Sequence, residues 1–341
     1  MPSPIPVSTI PDGVIDVHTH AIADRLPDLA GYPGRWPSVE RTAEDRANIL
    51  LDGRIYREID DRCWSAARRL RDMDAEGVAA QVVSPIPVTL CHDQPADGAA
   101  VLAAAQNDFL ASLVAEAPGR LLALGAVALQ APERAVAELA RCVDELGFLG
   151  VEIGTRAGDT ELNDPSLDPF FDAAAERGAF VLVHPVDLTL DPRLAALGIG
   201  FGLGMPVETA TAAAGLLTGR PRRPGVRLCL AHGGGALPAI LPRLDRGAVL
   251  AGRGDEPLPS ERARELWCDS LTYESASLDL AVTRFGAEHV LLGTDYPFAA
   301  REAPPGAVLS GADAALAAAV RRANALDVIA AVHPLVARSR P

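Results

Sequence analysis

Two histidines at the end of the first hydrophobic stretch are the residues best placed to do chemistry. His18 and His20 end the run Val-Ile-Asp-Val-His-Thr-His over residues 14–20. Because side chains alternate faces along a strand, residues two apart point the same way. Two imidazoles that converge at the end of a strand form half of a transition-metal site.

Three later apolar runs also end in a residue that can bind a metal or exchange a proton. These residues are His184 after 180–183, His232 after 226–231 and Asp295 after 290–294. We predict that His18, His20, His184 and Asp295 bind one metal ion, because three imidazoles and a carboxylate suit zinc, with a water completing the shell. Asp295 could also act as a base toward that water.

His232 ends a strand of its own and lies outside the strand-one pair. A neutral histidine there could take a proton from the water that the metal acidifies, so we predict an acid/base role for His232. The three glycines 233–235 that follow would let backbone come close to a bound substrate.

The chain contains no lysine, and its 31 basic residues are all arginine. This excludes a lysine Schiff base, lysine-bound pyridoxal phosphate and a carboxylated lysine that bridges two metals. We therefore expect one ion, zinc or alternatively manganese, and no organic cofactor.

The elements that must position these residues alternate regularly between strand and helix. Uninterrupted apolar strands indicate a parallel sheet that is covered by helices on both faces. The predicted strands cover residues 14–20, 78–84, 121–128, 149–153, 179–184, 226–231, 266–270 and 289–293. The predicted helices cover residues 63–77, 98–117, 132–146, 166–177, 206–218, 236–250, 276–286 and about 311–331. Eight strands, each with a helix after it, predict an α/β fold, a (β/α)8 TIM barrel whose active site lies at the C-terminal ends of the strands.

Residues 21–60 interrupt this alternation. Turn signals occur at 31–37, and residues 49–56 are typical of a small hairpin around Asp52-Gly53. We predict one domain over residues 1–341, with 21–60 as a small lid-like insertion over the active-site mouth.

Composition limits the classes of partner. A formal net charge of −14 gives no general attraction for nucleic acid or acidic membrane surfaces. Five scattered cysteines without CxxC spacing indicate reduced, mostly buried thiols and a cytoplasmic protein. The first residues resemble no secretion signal, and no apolar stretch is long enough for a transmembrane span.

Three other features give weaker signals. His-Gly-Gly-Gly at 232–235 is also typical of lipase oxyanion holes, but no Gly-x-Ser-x-Gly motif accompanies it. The alternating glycines of 198–204 do not follow a strand directly, so we interpret them as a flexible loop near the substrate rather than a dinucleotide site. Cys91 and His92 lie near the mouth, and the sequence leaves their role open.

The ordered motifs resemble the aminocarboxymuconate-semialdehyde decarboxylase branch of the amidohydrolase superfamily over nearly the whole chain. The matching segments are 16–20 (Asp-Val-His-Thr-His), 73–78, 130–133, 146–151, 183–185 (Val-His-Pro), 204–209, 231–236 (Ala-His-Gly-Gly-Gly-Ala) and 293–298 (Gly-Thr-Asp-Tyr-Pro-Phe). The resemblance implies zinc on His18, His20, His184 and Asp295, and an acid/base role for His232.

The resemblance also implies residues that bind substrate. Arg57 matches an arginine that binds a substrate carboxylate, and Phe298, the last residue of the 293–298 motif, is also expected to bind substrate. Arg243 matches an arginine that reaches into the neighbouring subunit's site, which implies a homodimer. Guanidinium groups suit bidentate binding of carboxylates, so an acidic protein can still bind an acidic substrate.

Three positions depart from that family's pattern. Val186 and Phe201 stand where close relatives have tryptophans, and Leu51 stands where they have a lysine near the substrate. Loss of an aromatic wall and of a cation should change which substrate fits, while the metal chemistry stays.

Our first hypothesis is a metal-dependent, non-oxidative decarboxylase of a small unsaturated or aromatic carboxylic acid. The substrate would resemble an aminocarboxymuconate semialdehyde or an ortho-hydroxybenzoate. The alternative is a hydrolase of an amide, a lactone or a carbon–carbon bond beside a carbonyl, on the same site. A metal-binding scaffold or small-acid sensor without turnover is a third hypothesis, but every predicted ligand and His232 are present.

Overall fold

The computed structural model describes residues 7–219 and 225–338, and its central feature is an eight-stranded parallel barrel. The barrel strands are β1 (Val14–Ala21), β5 (Val78–Pro85), β6 (Leu121–Ala126), β7 (Gly150–Gly154), β10 (Phe180–His184), β11 (Arg227–Leu230), β12 (Trp267–Asp269) and β13 (Val290–Leu291). They lie in that order around the sheet. The predicted TIM barrel is confirmed.

The barrel closes between the segment after β13 and β1. Asp295 N donates to His18 O at 2.9 Å, and His20 N donates to Tyr296 O at 2.7 Å. These two bonds place Asp295 beside the histidines of β1. The pairing of β1 with β5 also shifts register between Asp16 and Thr19.

Helices surround the barrel, most of them where the sequence places them, but two short helices over 192–196 and 259–262 were not predicted. The helices are α1 (Ala66–Glu76), α2 (Ala96–Glu116), α3 (Pro132–Ala140), α4 (Asp168–Arg177), α5 (Pro192–Ala196), α6 (Met205–Thr218), α7 (Leu237–Leu250), α8 (Pro259–Arg262), α9 (Ser275–Phe285), α10 (Ala314–Ala318) and α11 (Asn324–Arg338). Local chemistry explains their ends: the Ser65 side chain caps α1, and Gly77 ends it at φ 72° before β5 begins.

Alternate residues of the strands form two layers of core. Val17, Val82, Leu182 and their equivalents pack with one another inside the barrel. The intervening residues, such as Val183, pack against the surrounding helices. This packing holds the strand ends rigidly enough to fix side chains at the mouth.

Within residues 21–60, the segment 38–60 forms a separate three-stranded antiparallel sheet rather than one hairpin. Its strands are β2 (Ser38–Ala43), β3 (Arg46–Leu51) and β4 (Arg54–Asp60), and the predicted turn at Asp52-Gly53 joins β3 to β4. A short ribbon of β8 (Arg156–Ala157) and β9 (Thr160–Glu161) follows β7.

Some predicted boundaries differ from the structure. The third helix ends as an α-helix at Ala140 and continues as a π-helical turn to Glu145. The glycine-rich run 198–204 is more regular than the predicted loop, because Gly200–Gly204 form a π-helical turn that leads into α6.

Among the described residues, α2 is long and apolar enough to cross a membrane by length and composition alone. Its buried face packs in the barrel core, where Asn107 donates to Ala126 O at 2.9 Å. The same test is passed by core helices of this kind. All five cysteines are free and buried, as predicted.

Candidate metal centre and active-site cavity

Five residues from four strand ends meet at the mouth of the barrel. His18 and His20 come from β1, His184 from the end of β10, His232 from just after β11 and Asp295 from just after β13. We call these five residues the histidine floor. They lie together because the C-terminal ends of parallel strands share one end of a barrel.

The distances show how closely the floor converges. His18 Nε2 lies 3.0 Å from His20 Nε2, and Asp295 Oδ1 lies 3.1 Å from His20 Nε2 and 3.7 Å from His18 Nε2. The His184 ring centroid lies 5.0–5.1 Å from those of His20 and His18 and 4.9 Å from that of His232. One ligand atom from each of His18, His184, His232 and Asp295 also lies within 4.8 Å of the others.

The hydrogen bonds of the ring nitrogens fit metal ligands. His20 Nδ1 lies 2.9 Å from Pro85 O, and His184 Nδ1 lies 2.7 Å from Pro185 O. A carbonyl can only accept, so each Nδ1 donates its proton and each Nε2 keeps a lone pair toward the centre. His184 Nε2 and Asp295 Oδ1 are buried without a hydrogen-bond partner. Such orphaned acceptors and this nitrogen-and-oxygen donor set fit a divalent transition metal.

Asp269, at the end of β12, is a site residue that sequence reasoning missed. Its carboxylate lies 2.6 Å from His18 Nδ1 and accepts the backbone N–H of His232 at 2.8 Å. Burial disfavours ionised Asp269, but its bonds to His18 and to backbone outweigh this and lower its pKa. The same carboxylate outweighs burial at His18 and raises the pKa of that ring to about 9. The strand-end rule that found Asp295 could have found Asp269.

Glu152, on β7, is a second buried carboxylate near the floor. Its Oε2 lies 3.6 Å from His20 Nδ1, and neither oxygen has a hydrogen-bond partner. Burial therefore dominates and raises its pKa to about 8. The two strand-one histidines thus have unlike neighbours, an ionised Asp269 and a protonated Glu152.

One side of the cavity above the floor is formed by four residues that we call the arginine wall: Tyr56, Arg57, Asp187 and Phe298. The cavity has a volume of about 210 Å³, and His184, His232 and Asp295 also line it. The guanidinium of Arg57 lies 4.3 Å above the Phe298 ring centroid, a cation–π arrangement. Phe298 in turn lies against His20, with ring centroids 5.2 Å apart.

Asp187 connects the wall to the barrel. Tyr56 Oη donates to its carboxylate, with 2.5 Å to each oxygen, and Arg57 Nη2 lies 4.0 Å from Oδ2. Because Arg57 is only loosely paired, its guanidinium can still bind an anion in the cavity. Asp187 was not predicted, since nothing in Val-Asp-Leu at 186–188 separates it from a surface aspartate.

Of the four other residues that the sequence singles out, three lie outside the cavity. Arg243 is exposed on α7 and does not line it. Leu51 and Val186 line a neighbouring small cavity together, whereas Phe201 is half exposed and lines the mouth.

The structure also describes His92 and Cys91, whose role the sequence leaves open. His92 is buried, with Nε2 3.1 Å from Val127 O and Nδ1 accepting from Gly154 N at 3.3 Å. It is therefore a satisfied core histidine, and burial lowers its pKa to about 4. Its neighbour Cys91 is buried as well, near Val88 O.

Comparison with known proteins identifies the family of the chain. The amidohydrolase family profile Amidohydro_2 matches residues 15–329. A 2-amino-3-carboxymuconate-6-semialdehyde decarboxylase from Dictyostelium discoideum is 35% identical, over 86% of this chain and 84% of the relative.

Two solved structures share the architecture. A 5-carboxyvanillate decarboxylase from Sphingomonas paucimobilis aligns with a TM-score of 0.70 and 26% identity, over 79% of this chain and 84% of the other. A dihydroxybenzoic acid decarboxylase from Polaromonas sp. JS666, with bound manganese and the inhibitor 2-nitroresorcinol, aligns with a TM-score of 0.71 and 22% identity, over 94% and 97%.

Proposed function

Because the chain belongs to the amidohydrolase family, in its aminocarboxymuconate-semialdehyde decarboxylase branch, we propose that it is a metal-dependent, non-oxidative decarboxylase. The substrate is a small unsaturated or aromatic carboxylic acid. The observation that supports this most is the convergence of the histidine floor beneath the loosely paired Arg57. Arg57 and His232 line the same cavity, so a carboxylate held by Arg57 would lie in the space that His232 borders.

In this proposal His18, His20, His184 and Asp295 hold one divalent ion, zinc or manganese. When bound, it acts as a Lewis acid that draws charge from a substrate oxygen. The fit of the ring nitrogens described above supports this ligand set.

His232 is proposed to move the proton. Burial and the neighbouring histidines lower its pKa, while Asp295 and Asp269 oppose that shift. The ring is therefore neutral at neutral pH and can take up a proton from solvent water and deliver it. The proton goes to the carbon that bears the carboxylate, the bond from that carbon to the carboxylate breaks, and CO2 leaves. No oxidant is needed.

The arginine wall is proposed to orient the substrate. Arg57 donates to a carboxylate, and Phe298 supplies an apolar face for an unsaturated or aromatic system. We also propose that the β2–β4 sheet acts as a lid and excludes water, because Tyr56 and Arg57 of β4 line the cavity.

A homodimer is part of the proposal. Arg243 is exposed on α7, and the nearby segment 188–207 presents large apolar side chains that are 38–68% exposed, as at a subunit interface. These side chains are Leu188, Leu197, Ile199, Phe201, Leu203 and Val207. A cytoplasmic location is supported by the free cysteines.

The test is CO2 release by zinc- or manganese-loaded protein from aminomuconate-type and hydroxybenzoate acids. His232→Ala should abolish release, while the control His289→Gln, which alters a histidine stacked on Trp267, should retain it. If the metal-loaded protein releases no CO2 from any of the acids, the decarboxylase is contradicted, and amides and lactones become the substrates to test.

Subunit mixing tests the role of Arg243. His232→Ala and Arg243→Ala subunits are each expected to be inactive alone and to regain activity when co-expressed. Each mixed dimer then contains one site with both residues. No recovery, or a monomer by light scattering, would contradict the shared site.

A further inference from the structure

We propose that Asp269 is a positioning residue that couples the metal-ligand side of the site to its proton-transfer side. This inference rests on the proposed function for the roles of His18 and His232. The geometry itself does not, because Asp269 bonds to both residues whatever the reaction is.

All the acceptor positions of Asp269 are in use. Oδ2 accepts from His18 Nδ1 at 2.6 Å and from His232 N at 2.8 Å. Oδ1 accepts from Gly233 N at 2.9 Å and from Leu271 N at 3.0 Å. A carboxylate has about four lone-pair positions, so four donors saturate it. The residue is fully buried, and no water competes for these bonds.

The first consequence concerns the ring of His18. A carboxylate at Nδ1 keeps a proton there, so Nε2, which faces His20 and Asp295, is the nitrogen that gives up its proton and coordinates when a metal binds. His20 and His184 obtain the same orientation from backbone carbonyls. His18 depends on a side chain instead, so its orientation can be removed by one substitution.

The second consequence concerns the backbone of His232. His232 has φ 59°, a left-handed conformation that residues other than glycine adopt at a cost. The bonds from its own N–H and from Gly233 N–H to Asp269 offset that cost. The His232 ring, whose centroid lies 5.4 Å from that of His18, is therefore held over the cavity by the same carboxylate.

Asparagine cannot replace Asp269 in either orientation. With its oxygen toward His18 and His232, its NH2 group faces the N–H donors of Gly233 and Leu271. With the amide flipped, NH2 faces the N–H donor of His232 as well as His18 Nδ1, and Nδ1 must then accept and move its proton to the metal-facing Nε2. The first arrangement loses the bonds from Gly233 and Leu271, and the second disturbs both His18 and His232.

The experiment compares Asp269→Asn with Glu302→Gln. Glu302 is a matched control, because it is also a buried carboxylate that accepts backbone N–H groups, those of Gly306 and Val308, but it touches no histidine. For each variant we would measure the zinc dissociation constant, kcat at saturating zinc, and the downfield ¹H–¹⁵N resonance of His18 Nδ1–H.

We expect Asp269→Asn to weaken zinc binding about 10- to 100-fold, to lower kcat even when zinc is saturating, and to lose or shift the His18 resonance. Glu302→Gln should lose only stability. Unchanged zinc affinity and an unchanged resonance in Asp269→Asn would overturn the proposal. Weaker zinc binding with normal kcat would overturn the part of the proposal in which Asp269 positions His232. If the wild type releases no CO2 from any acid, the proposed function fails, while the zinc and NMR measurements still test Asp269.

Discussion

The histidine floor and the arginine wall lie within one cavity but are built differently. In the floor, His18, His20 and His184 are buried, and the Nδ1 of each has a partner within 3 Å. In the wall, Arg57 and Asp187 are about one-third exposed and lie 4.0 Å apart. The floor consists of barrel strand ends, whereas the wall joins β4 of the inserted sheet to a loop after β10.

Under the proposed function, this difference separates the residues that carry the chemistry from those that select the substrate. Rigid, desolvated groups suit a metal and a proton donor, because their geometry must not change during the reaction. Half-exposed groups on an insertion can vary without disturbing the barrel. We therefore expect floor substitutions to affect every substrate alike, and wall substitutions to change the ranking of substrates.

The largest effect should follow from His184→Ala in the floor. Loss of this imidazole removes Lewis-acid stabilisation of several kcal/mol, so kcat/KM should fall at least about a thousandfold for every acid. CO2 release and metal content by atomic emission would measure this. Full metal content with near-normal turnover would show that His184 is not a ligand.

Glu152→Gln should change the pH dependence of stability in metal-free protein. The carboxyl of Glu152 has a pKa of about 8 in the folded state and an ordinary value of 4.5. Between these values the unfolded chain has lost a proton that the folded chain keeps, so the free energy of unfolding falls as pH rises. Glutamine does not titrate, so the variant lacks this fall in the free energy of unfolding.

The stability of Glu152→Gln relative to wild type should therefore rise by a few kcal/mol between pH 5 and pH 8. Urea unfolding at both pH values measures the change. Asp269→Asn is the contrasting variant, because the pKa of Asp269 is lowered and its stabilisation is already present at pH 5. An equal difference between Glu152→Gln and wild type at the two pH values would contradict the protonated state of Glu152.

Arg57→Met in the wall should raise KM about 10- to 100-fold with a smaller change in kcat. This estimate corresponds to one charged hydrogen bond of about 1.5–3 kcal/mol. Arg57→Lys keeps the charge without the planar fork and should recover part of the loss. Steady-state kinetics with two acids would show whether their ranking changes. An equal fall in kcat for both acids, with KM constant, would show that Arg57 takes part in the chemistry, as the histidine floor is expected to, rather than in substrate selection.

Tyr56→Phe should have the smallest effect. It removes the hydroxyl that donates to Asp187 and leaves the ring, so about 0.5–1.5 kcal/mol of positioning is lost. We expect a change of roughly 3- to 10-fold in KM, and none in metal affinity. Zinc titration of the wild type and of Tyr56→Phe checks that the metal affinity is unchanged. Weaker zinc binding by the variant would mean that the arginine wall and the histidine floor are coupled.

Much of the site was predictable because it follows from strand ends. The apolar runs before His184, His232 and Asp295 locate the C-terminal ends of parallel strands, and those ends share one face of a barrel. Asp269 ends β12 and lies within the predicted strand 266–270, so the same rule could have found it. Arg57 was found through resemblance, since on residues alone it is one arginine among many.

By itself, the sequence determined the alternation of strands and helices, the barrel, and which strands end in histidine or aspartate. Periodicity and burial determine these features over short distances along the chain. Only the tertiary structure decided that Asp269, 251 positions from His18, orients its ring, and that Asp187 pairs with Tyr56, 131 positions away. Such bonds depend on strand order, register and the path of an inserted sheet, and no local pattern of residues specifies those.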